Sequence, residues 1–241
     1  YPVLRAQILA DPESRLLPVL TSTAQPVITL NEAEGKALLA QHGVLATNHA
    51  TGTAEEVIAA ADSLGYPLAV KLLNADLAHK NHAGAVHLDI KDAAGVEQAI
   101  SAIQASVSRY DASLDTGHFL IERMVSAPRA EFIAGVSHKS GVGHALIIGR
   151  GGTDVEELKD FTTLLLPTSA AQIEEALYSL RITRRLQLQE TDIAALTQTI
   201  HNIAIFADHV RNKLVELDVN PILLDASGNV TAVDAYLRIR D

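Results

Sequence analysis

The chain contains no cysteine among its 241 residues, which excludes a disulfide framework, a thiolate metal site and a thiol nucleophile. It also lacks any apolar run near the roughly 20 residues that span a bilayer, and its N-terminus lacks the basic and apolar segments of a signal peptide. Basic residues are scarce, because 19 Lys and Arg stand against 29 Asp and Glu, for a net charge of −10. This charge disfavours nonspecific binding to nucleic acid or to a membrane surface. We therefore expect a globular, cytoplasmic protein with neither of these partners.

The hydrophobic content of 48% is enough for a sizeable core, and the length suits one two-lobed unit or two small domains. The chain begins at Tyr1 rather than Met, and its first segment combines Ser and Thr with Pro2, Pro12, Pro18 and Pro26. This composition is typical of an interdomain connector. We expect residues 1–27 to be such a connector in a longer polypeptide.

The C-terminal part of the chain predicts a β-hairpin that carries oxygen ligands. Apolar and oxygen-bearing residues alternate in Glu216–Leu223 and again in Val230–Ala235, with turn residues between them. This alternation would bring three side chains to one side of one sheet: Asp218, Asn220 and Asp234. Two carboxylates and an amide are hard ligands of the type that Mg²⁺ accepts. An ordinary hairpin with acidic residues facing water shows the same alternation, so the pattern leaves both interpretations open.

A lysine interrupts the apolar strand predicted at Leu68–Leu73. Lys71 would either place an ammonium group against a phosphate or be an edge-strand lysine whose head reaches solvent. The segment that follows, Asn74–Gly84, has loop composition and carries His79 and Lys80. Imidazole and ammonium groups are thus concentrated next to this strand.

The remaining elements follow from hydrophobic spacing, capping residues and turn signals. Helices are predicted from Thr29 or Asn31 to Gly43 and at Thr53–Leu64, Asp92–Tyr110, Ala170–Leu180 and Thr191–Phe206; strands are predicted at Ala85–Ile90, Phe119–Val125, Arg129–Val136 and Ala145–Ile148. Gly151 and Gly152, beside Arg150, would let backbone N–H groups approach an anion, although such a glycine cluster also marks a simple turn.

Together these motifs resemble the ATP-grasp portion of nucleoside-diphosphate-forming acyl-CoA synthetases, the group that includes ADP-forming acetyl-CoA synthetase and is related to the succinyl-CoA synthetase β subunit. The resemblance runs from about Ile28 to the C-terminus. It is carried, in order, by the Gly-Tyr-Pro-x-x-x-Lys strand, the His-Lys loop ending in glycine, the Gly-Gly-x-x-x-Glu segment and the final Asp-x-Asn-Pro hairpin with its Asp. It implies a two-lobed α+β ATP-grasp fold, with a first lobe and N-terminal helix at residues 28–120 and a second lobe at residues 121–241.

The resemblance also implies roles for individual residues, with ATP or ADP bound between the lobes. Lys71 would contact phosphates, assisted by Lys80 and the amides of Gly151 and Gly152; Glu122 and Met124 would line the adenine hinge; and Glu131 would lie near the ribose or phosphates. Asn220 and Asp234 would hold Mg²⁺ with Asp218 close by. His79 would carry a phosphoryl group, a task that suits imidazole as a neutral nucleophile and a good leaving group.

Three positions depart from the family pattern. His82 occupies a position where Asp is common, Ala85 one where a second Gly is common, and Leu164 one where an Arg often occurs. Loss of that Arg would remove a phosphate-binding fork, which Arg150 would have to replace. These departures keep open a second function, a regulatory synthetase-like domain of a protein acetyltransferase. A carboxylate–amine ligase is a third candidate, but it gives His79 no role. No Gly-x-Gly-x-x-Gly follows a strand, so CoA-binding and ligase domains are expected elsewhere in the same chain or in a partner subunit.

Overall fold

The computed structural model describes residues 25–77, 80–139, 141–152 and 159–241. The chain divides into two compact units, each with its own sheet and its own hydrophobic core. The small unit comprises Asn31–Glu34 and Thr47–Ser126, and the large unit comprises the described residues up to Leu30, Gly35–Ala46 and Ala127–Asp241. The expected division at residue 121 differs from this one, because the strand at Phe119–Arg123 lies wholly within the small unit.

The small unit contains an antiparallel sheet with the strand order β2-β5-β3-β4. Its strands are β2 (His49–Gly52), β3 (Leu68–Leu72), β4 (Val86–Ile90) and β5 (Phe119–Arg123), and its helices are α2 (Ala54–Leu64) and α3 (Ala93–Tyr110). Every residue of β3 is buried, as expected for an inner strand whose faces are covered. The apolar stripe of α3 supplies much of the core: Val96, Ala99, Ile100, Ile103 and Val107.

Both helices of this unit begin where the sequence predicts. The Thr53 side chain accepts a hydrogen bond from the Glu56 backbone N–H, and the Glu56 carboxylate accepts one from the Thr53 N–H, which forms a capping box. Asp92 caps α3 by accepting a hydrogen bond from the Gly95 N–H at 2.7 Å. These local bonds satisfy N–H groups that a helix start otherwise leaves without a partner.

The large unit contains a seven-stranded sheet with the order β1-β11-β9-β6-β7-β8, and β10 also pairs with β9. Its strands are β1 (Val27–Leu30), β6 (Pro128–Lys139), β7 (Gly143–Arg150), β8 (Phe161–Leu165), β9 (Leu214–Asp225), β10 (Val230–Ala232) and β11 (Ala235–Arg240). The helices α4 (Ala170–Ser179), α5 (Arg181–Arg185) and α6 (Glu190–His209) follow β8, and α1 (Glu32–Ala40), which follows β1, belongs to this unit from Gly35 onward. The buried face of α6 supplies many core residues, including Ile193, Leu196, Ile200 and Ile203.

Three predicted boundaries require correction. Thr29 belongs to β1 rather than to a helix, and Asn31 alone forms the cap of α1, through reciprocal bonds with Glu34. The predicted helix also ends earlier, at Ala40, before Gly43 with its φ of 77°. The predicted strand Val230–Ala235 is split, since β10 pairs with the end of β9 and β11 pairs with its beginning.

The strands β1 and β2 and the short helix α5 were not predicted from the sequence. In the part of the chain that the structure describes, no helix is both long enough and apolar enough to cross a membrane.

Candidate functional site

Lys71 lies on the inner strand β3, paired with Leu120 on one side and Val86 on the other. Its side chain is only 6% exposed, and its ammonium nitrogen lies 2.7 Å from a Glu32 carboxylate oxygen and 2.5 Å from Glu122 Oε1. This excludes the interpretation of Lys71 as an edge-strand lysine reaching solvent. A charge held so far from water requires partners of opposite sign, which the two glutamates supply.

Lys80 is bound by the same glutamate as Lys71. Its Nζ lies 2.5 Å from Glu32 Oε2, while Lys71 bonds Oε1, so one carboxylate joins the two ammonium groups with one oxygen each. We call Lys71, Lys80, Glu32 and Glu122 the charge cluster. The Glu32 side chain is fully buried and that of Lys80 is 17% exposed. The structure thus brings together the two lysines that the sequence analysis assigned to phosphate binding.

Glu122 and Met124 are the residues predicted to line an adenine hinge. The carboxylate of Glu122 is buried in the charge cluster and also accepts a hydrogen bond from the Thr47 hydroxyl. Just beyond β5, the Met124 backbone N–H donates to the Pro67 carbonyl at 3.0 Å, and its sulfur accepts the Asp89 N–H at 3.1 Å. The segment is therefore fixed by backbone bonds, and its role in binding adenine remains a prediction.

Glu32 was not predicted from the sequence as a site residue. It stands in the first turn of α1, where a carboxylate is expected simply to complement the helix dipole. Its contact with Lys71 spans 39 positions and that with Lys80 spans 48, so no local pattern indicates either pair. Only the packing of the small unit brings this acidic residue into the charge cluster.

A group of acidic and amide side chains lies where the pairing partner of the strand β9 changes from β11 to β10. The Asp218 carboxylate is hydrogen-bonded to the Asn220 side chain, and it lies close enough to Asp234 for an electrostatic interaction with that carboxylate. The Asn220 backbone N–H also donates to the Asp234 carbonyl at 3.3 Å. The three residues predicted as a magnesium site are therefore neighbours in the structure, although Asp234 lies between two strands rather than within one.

The electrostatics of this group suit a cation. Burial, together with the charges of Asp234 and Glu216, raises the pKa of Asp218 from its ordinary value of 3.8 to about 6, while the hydrogen bond to Asn220 opposes the shift. Gly135 lies opposite Asp218 on β6, where a Cβ atom would stand 3.5 Å from Asp218 Oδ1. Two partly buried carboxylates that repel each other form a donor set that a divalent cation would stabilise.

No cluster of three or more His, Cys, Asp or Glu side chains is placed to hold a metal ion among the residues that the structure describes. The predicted magnesium group contains two carboxylates and an amide, and Mg²⁺ commonly completes such a set with waters and substrate phosphates. The residues present therefore fit a magnesium ion bound together with a phosphorylated ligand.

Glu131, Gly151 and Gly152 are brought together at one end of the β6–β7 pair. The Gly151 N–H donates to the Glu131 carbonyl at 2.8 Å, and a Cβ atom on Gly151 would lie 3.1 Å from the Phe132 carbonyl oxygen. Gly152 has a φ of 102°, and a Cβ atom there would lie 3.3 Å from Glu131 Oε2. The two glycines therefore have packing and conformational reasons to be glycine, and their predicted contact with phosphate remains a prediction.

His79 and the residues 153–158 that follow the glycine cluster lie outside the described part of the chain. Of the departures from the family pattern, Ala85 is fully buried and its N–H donates to the Lys80 carbonyl at 2.8 Å. Leu164 is packed in the hydrophobic core of the large unit. The predicted residues thus form two groups, one with the charge cluster in the small unit and one with Asp218 in the large unit.

Known proteins resemble this chain both in sequence and in structure. A β subunit of an ADP-forming acetate–CoA ligase from Pyrococcus furiosus is 26% identical over 223 residues, which is 90% of this chain and 94% of that subunit. An ADP-forming 4-hydroxybutyrate–CoA ligase from Nitrosopumilus maritimus is 29% identical over 209 residues, which is 83% of this chain but only 29% of that enzyme. A trans-feruloyl-CoA synthase from an unknown prokaryotic organism is 31% identical, and the match covers 86% of this chain and 30% of that enzyme.

Solved structures with low sequence identity share the fold. An acetyl-CoA synthetase of Ca. Korarchaeum cryptofilum in complex with coenzyme A and Ca-AMPCP matches with a TM-score of 0.80 at 21% identity, over 98% of this chain and 99% of that one. A protein from Pyrococcus horikoshii matches with a TM-score of 0.82 at 24% identity, over 98% of each chain. The model of a family described as an ATP-grasp domain matches residues 22–239. With this match over nearly its whole length, the chain belongs to the ATP-grasp family.

Proposed function

We propose that this chain is the nucleotide-binding module of an NDP-forming acyl-CoA synthetase. In the complete enzyme it transfers a phosphoryl group between a phosphohistidine and ADP, within the overall reaction acyl-CoA + ADP + phosphate ⇌ carboxylate + CoA + ATP. The relatives support this, because the match covers 94% of a β subunit named as ADP-forming acetate–CoA ligase. The observation that carries the proposal is the group of Asp218, Asn220 and Asp234, which is suited to a divalent cation and therefore to a nucleotide phosphate.

Phosphoryl transfer requires accurate positioning and the neutralisation of phosphate charge more than covalent chemistry from the protein. Asp218, Asn220 and Asp234 would hold Mg²⁺, which when bound neutralises phosphate oxygens and orients them for in-line transfer. Lys71 and Lys80 supply further positive charge, and the Gly151 and Gly152 amides are the proposed backbone donors.

His79 is the proposed carrier of the phosphoryl group. Its neutral imidazole would attack the γ-phosphorus of ATP, the bond from that phosphorus to the bridging oxygen would break, and ADP would leave; the reverse step makes ATP. The support for this role is the resemblance of the His79-Lys80 loop to that of the family, together with the position of Lys80 in the charge cluster. The neighbouring His82 is exposed and offers a matched control for experiments on His79.

The proposed partners are CoA-binding and ligase domains in the same chain or in a separate subunit. The chain spans 29% of the length of the 4-hydroxybutyrate–CoA ligase and 94% of the acetate–CoA ligase β subunit, so relatives support both arrangements. The cytoplasmic location expected from the sequence is part of the same proposal, as is the absence of nucleic-acid and membrane partners.

Isothermal calorimetry of ADP and ATP, each with and without Mg²⁺, tests the nucleotide site. We expect binding that strengthens with Mg²⁺ in the wild-type chain and loses this dependence in Asp234→Ala. Asp208→Ala is the control, because Asp208 lies at the end of α6 in a surface pair with Arg211. If the folded wild-type chain bound no nucleotide, the regulatory function would replace the enzymatic one, in keeping with the buried Leu164 in place of a family arginine.

Labelling with γ-³²P-ATP and Mg²⁺ tests the proposed carrier. A phosphohistidine is labile in acid and stable in base, and we expect such a label in the wild-type chain and in His82→Asn but not in His79→Asn. Equal labelling of the two histidine variants would contradict the role of His79.

A further inference from the structure

The charge cluster pairs side chains of opposite sign. Two ammonium groups, of Lys71 and Lys80, face two carboxylates, of Glu32 and Glu122, at distances of 2.5–2.7 Å. Three of the four side chains are at most 6% exposed, so water screens these charges poorly. A phosphate that enters such a cluster meets lysines whose charge is already neutralised.

The two glutamates differ in what they hold. Glu122 is bonded to Lys71 and to the Thr47 hydroxyl, within the sheet and its adjoining segment. Glu32 contacts both lysines, and each of its carboxylate oxygens accepts a hydrogen bond from a different ammonium group. Two oxygens of a phosphate group can bind a pair of lysines in the same way.

We propose that Glu32 is an internal counter-anion that occupies the lysine pair in the absence of ligand, so that an entering phosphate group competes with its carboxylate. The inference rests on the proposed function in that it names Lys71 and Lys80 as phosphate ligands. It goes beyond that function because it makes Glu32 a determinant of anion affinity. This role requires no contact between Glu32 and the nucleotide.

Removal of this carboxylate takes away the anion that is paired with both ammonium groups. A buried charge that loses a partner of opposite sign is destabilised, and an external anion bound to the two ammonium groups would replace the lost carboxylate. Glutamine has nearly the shape of glutamate, so Glu32→Gln changes the charge and preserves the packing. We therefore expect the variant to bind inorganic phosphate more tightly than the wild-type chain does.

The test compares inorganic phosphate binding by calorimetry in the wild-type chain, Glu32→Gln and Glu34→Gln. Glu34 lies in the same turn of α1, but its carboxylate is exposed and accepts the Asn31 N–H, so its variant loses the same charge away from the lysines. We expect a gain of about tenfold or more in phosphate affinity for Glu32→Gln alone, where tenfold corresponds to about 1.4 kcal/mol. Unchanged or weaker phosphate binding by folded Glu32→Gln would overturn the proposal.

A second variant keeps the test decisive if Glu32→Gln folds poorly. Glu32→Gln/Lys80→Gln removes one ammonium group together with the carboxylate paired with it, so we expect it to fold and to lose the gain in phosphate affinity. Thermal unfolding of Glu32→Gln with millimolar phosphate should then show a rise in midpoint that exceeds that of the double variant. If phosphate failed to stabilise Glu32→Gln while the double variant folded, the cluster would not accept an external anion and the proposal would be wrong.

The phosphate experiment separates this proposal from the proposed function. A gain in phosphate affinity without any ADP binding to the wild-type chain would support the role of Glu32 and contradict the nucleotide site. Magnesium-dependent ADP binding to the wild-type chain, with no gain in phosphate affinity in Glu32→Gln, would support the nucleotide site and contradict the role of Glu32.

Discussion

The fold changes the ionisation of Asp218. Burial, with the charges of Asp234 and Glu216 beside it, raises the pKa of Asp218 to about 6. A carboxyl with a raised pKa binds its proton more tightly in the folded chain than in the unfolded chain. Its contribution to stability is therefore most favourable below the unfolded value of 3.8, and it is lost as the pH rises through about 6.

Asp218→Asn should accordingly stabilise the metal-free chain at pH 7 by about 2 kcal/mol, because it removes a buried charge close to other carboxylates. The gain should disappear near pH 4, where Asp218 is protonated in the folded chain. Urea unfolding in the presence of a chelator at the two pH values measures both effects. Asp208→Asn, which removes a carboxylate from the partly exposed ion pair with Arg211, should show no such gain, and an equal gain at pH 4 and pH 7 would contradict the assignment.

The sequence indicated the candidate site residues to different extents. A lysine within an apolar strand indicated Lys71, and the alternation of apolar and oxygen-bearing residues indicated Asp218, Asn220 and Asp234. Each pattern also had an ordinary structural interpretation, and the roles that the family resemblance gave these residues stay predictions. Glu32 was missed because an acidic residue in a first helical turn is ordinary and its partners are distant in sequence. Chemistry that depends on a contact between distant segments leaves no local signal.

At the level of elements, the pair of β7 and β8 depends on a glycine. Gly149 lies opposite Phe161, and a Cβ atom on Gly149 would stand 2.9 Å from the Phe161 Cβ and 3.0 Å from the Asp160 carbonyl oxygen. Gly135 on β6 is a comparable strand glycine, but a Cβ atom there would meet its nearest neighbour at an ordinary distance of 3.5 Å.

Gly149→Ala should therefore destabilise the chain by about 1–3 kcal/mol, the usual cost of forcing extra volume into a packed site. Gly135→Ala is the matched control and should cost clearly less. Urea unfolding of both variants in metal-free buffer measures the difference, and equal costs would show that β7 and β8 separate easily enough to admit a methyl group.

Element type was predicted well where a strong local signal exists. Thr53 was predicted as a cap, and it caps α2 through a local hydrogen bond; the helix predicted from Asp92 by its apolar spacing likewise begins directly after Asp92. The strand β2, His49–Gly52, has a weak apolar pattern and exists through its pairing with β5. The split between β10 and β11 was missed for a similar reason, since alternation continues through Val233 and Asp234 while the pairing does not.

At the level of the whole molecule, the two-lobed ATP-grasp fold was predicted from the order of the motifs, and the family match confirms it. The division between the units was placed at residue 121, whereas the small unit extends to Ser126. The strand β5 supplies the middle of the small sheet, a non-local pairing that its own sequence does not reveal.

In the proposed function, this chain binds the nucleotide and a separate domain or subunit binds CoA, so neither part should catalyse the overall reaction alone. The purified chain should bind Mg-ADP but should form no ATP from acetyl-CoA, ADP and phosphate by itself. Addition of the CoA-binding subunit of an ADP-forming acetate–CoA ligase should restore ATP formation, and His79→Asn should abolish it while His82→Asn does not. Coupled detection of ATP measures the reaction, and turnover by the chain alone would refute the need for a CoA-binding partner.

The charge cluster also has a consequence for folding kinetics. Two of its contacts join residues separated by 39 and 48 positions, and contacts between distant segments form after much of the intervening chain is ordered. We therefore expect its charges to remain hydrated in the folding transition state. Stopped-flow measurements on Glu32→Gln should then show faster unfolding with little change in the refolding rate. In that case the cluster governs how long the small unit stays folded rather than how quickly it folds.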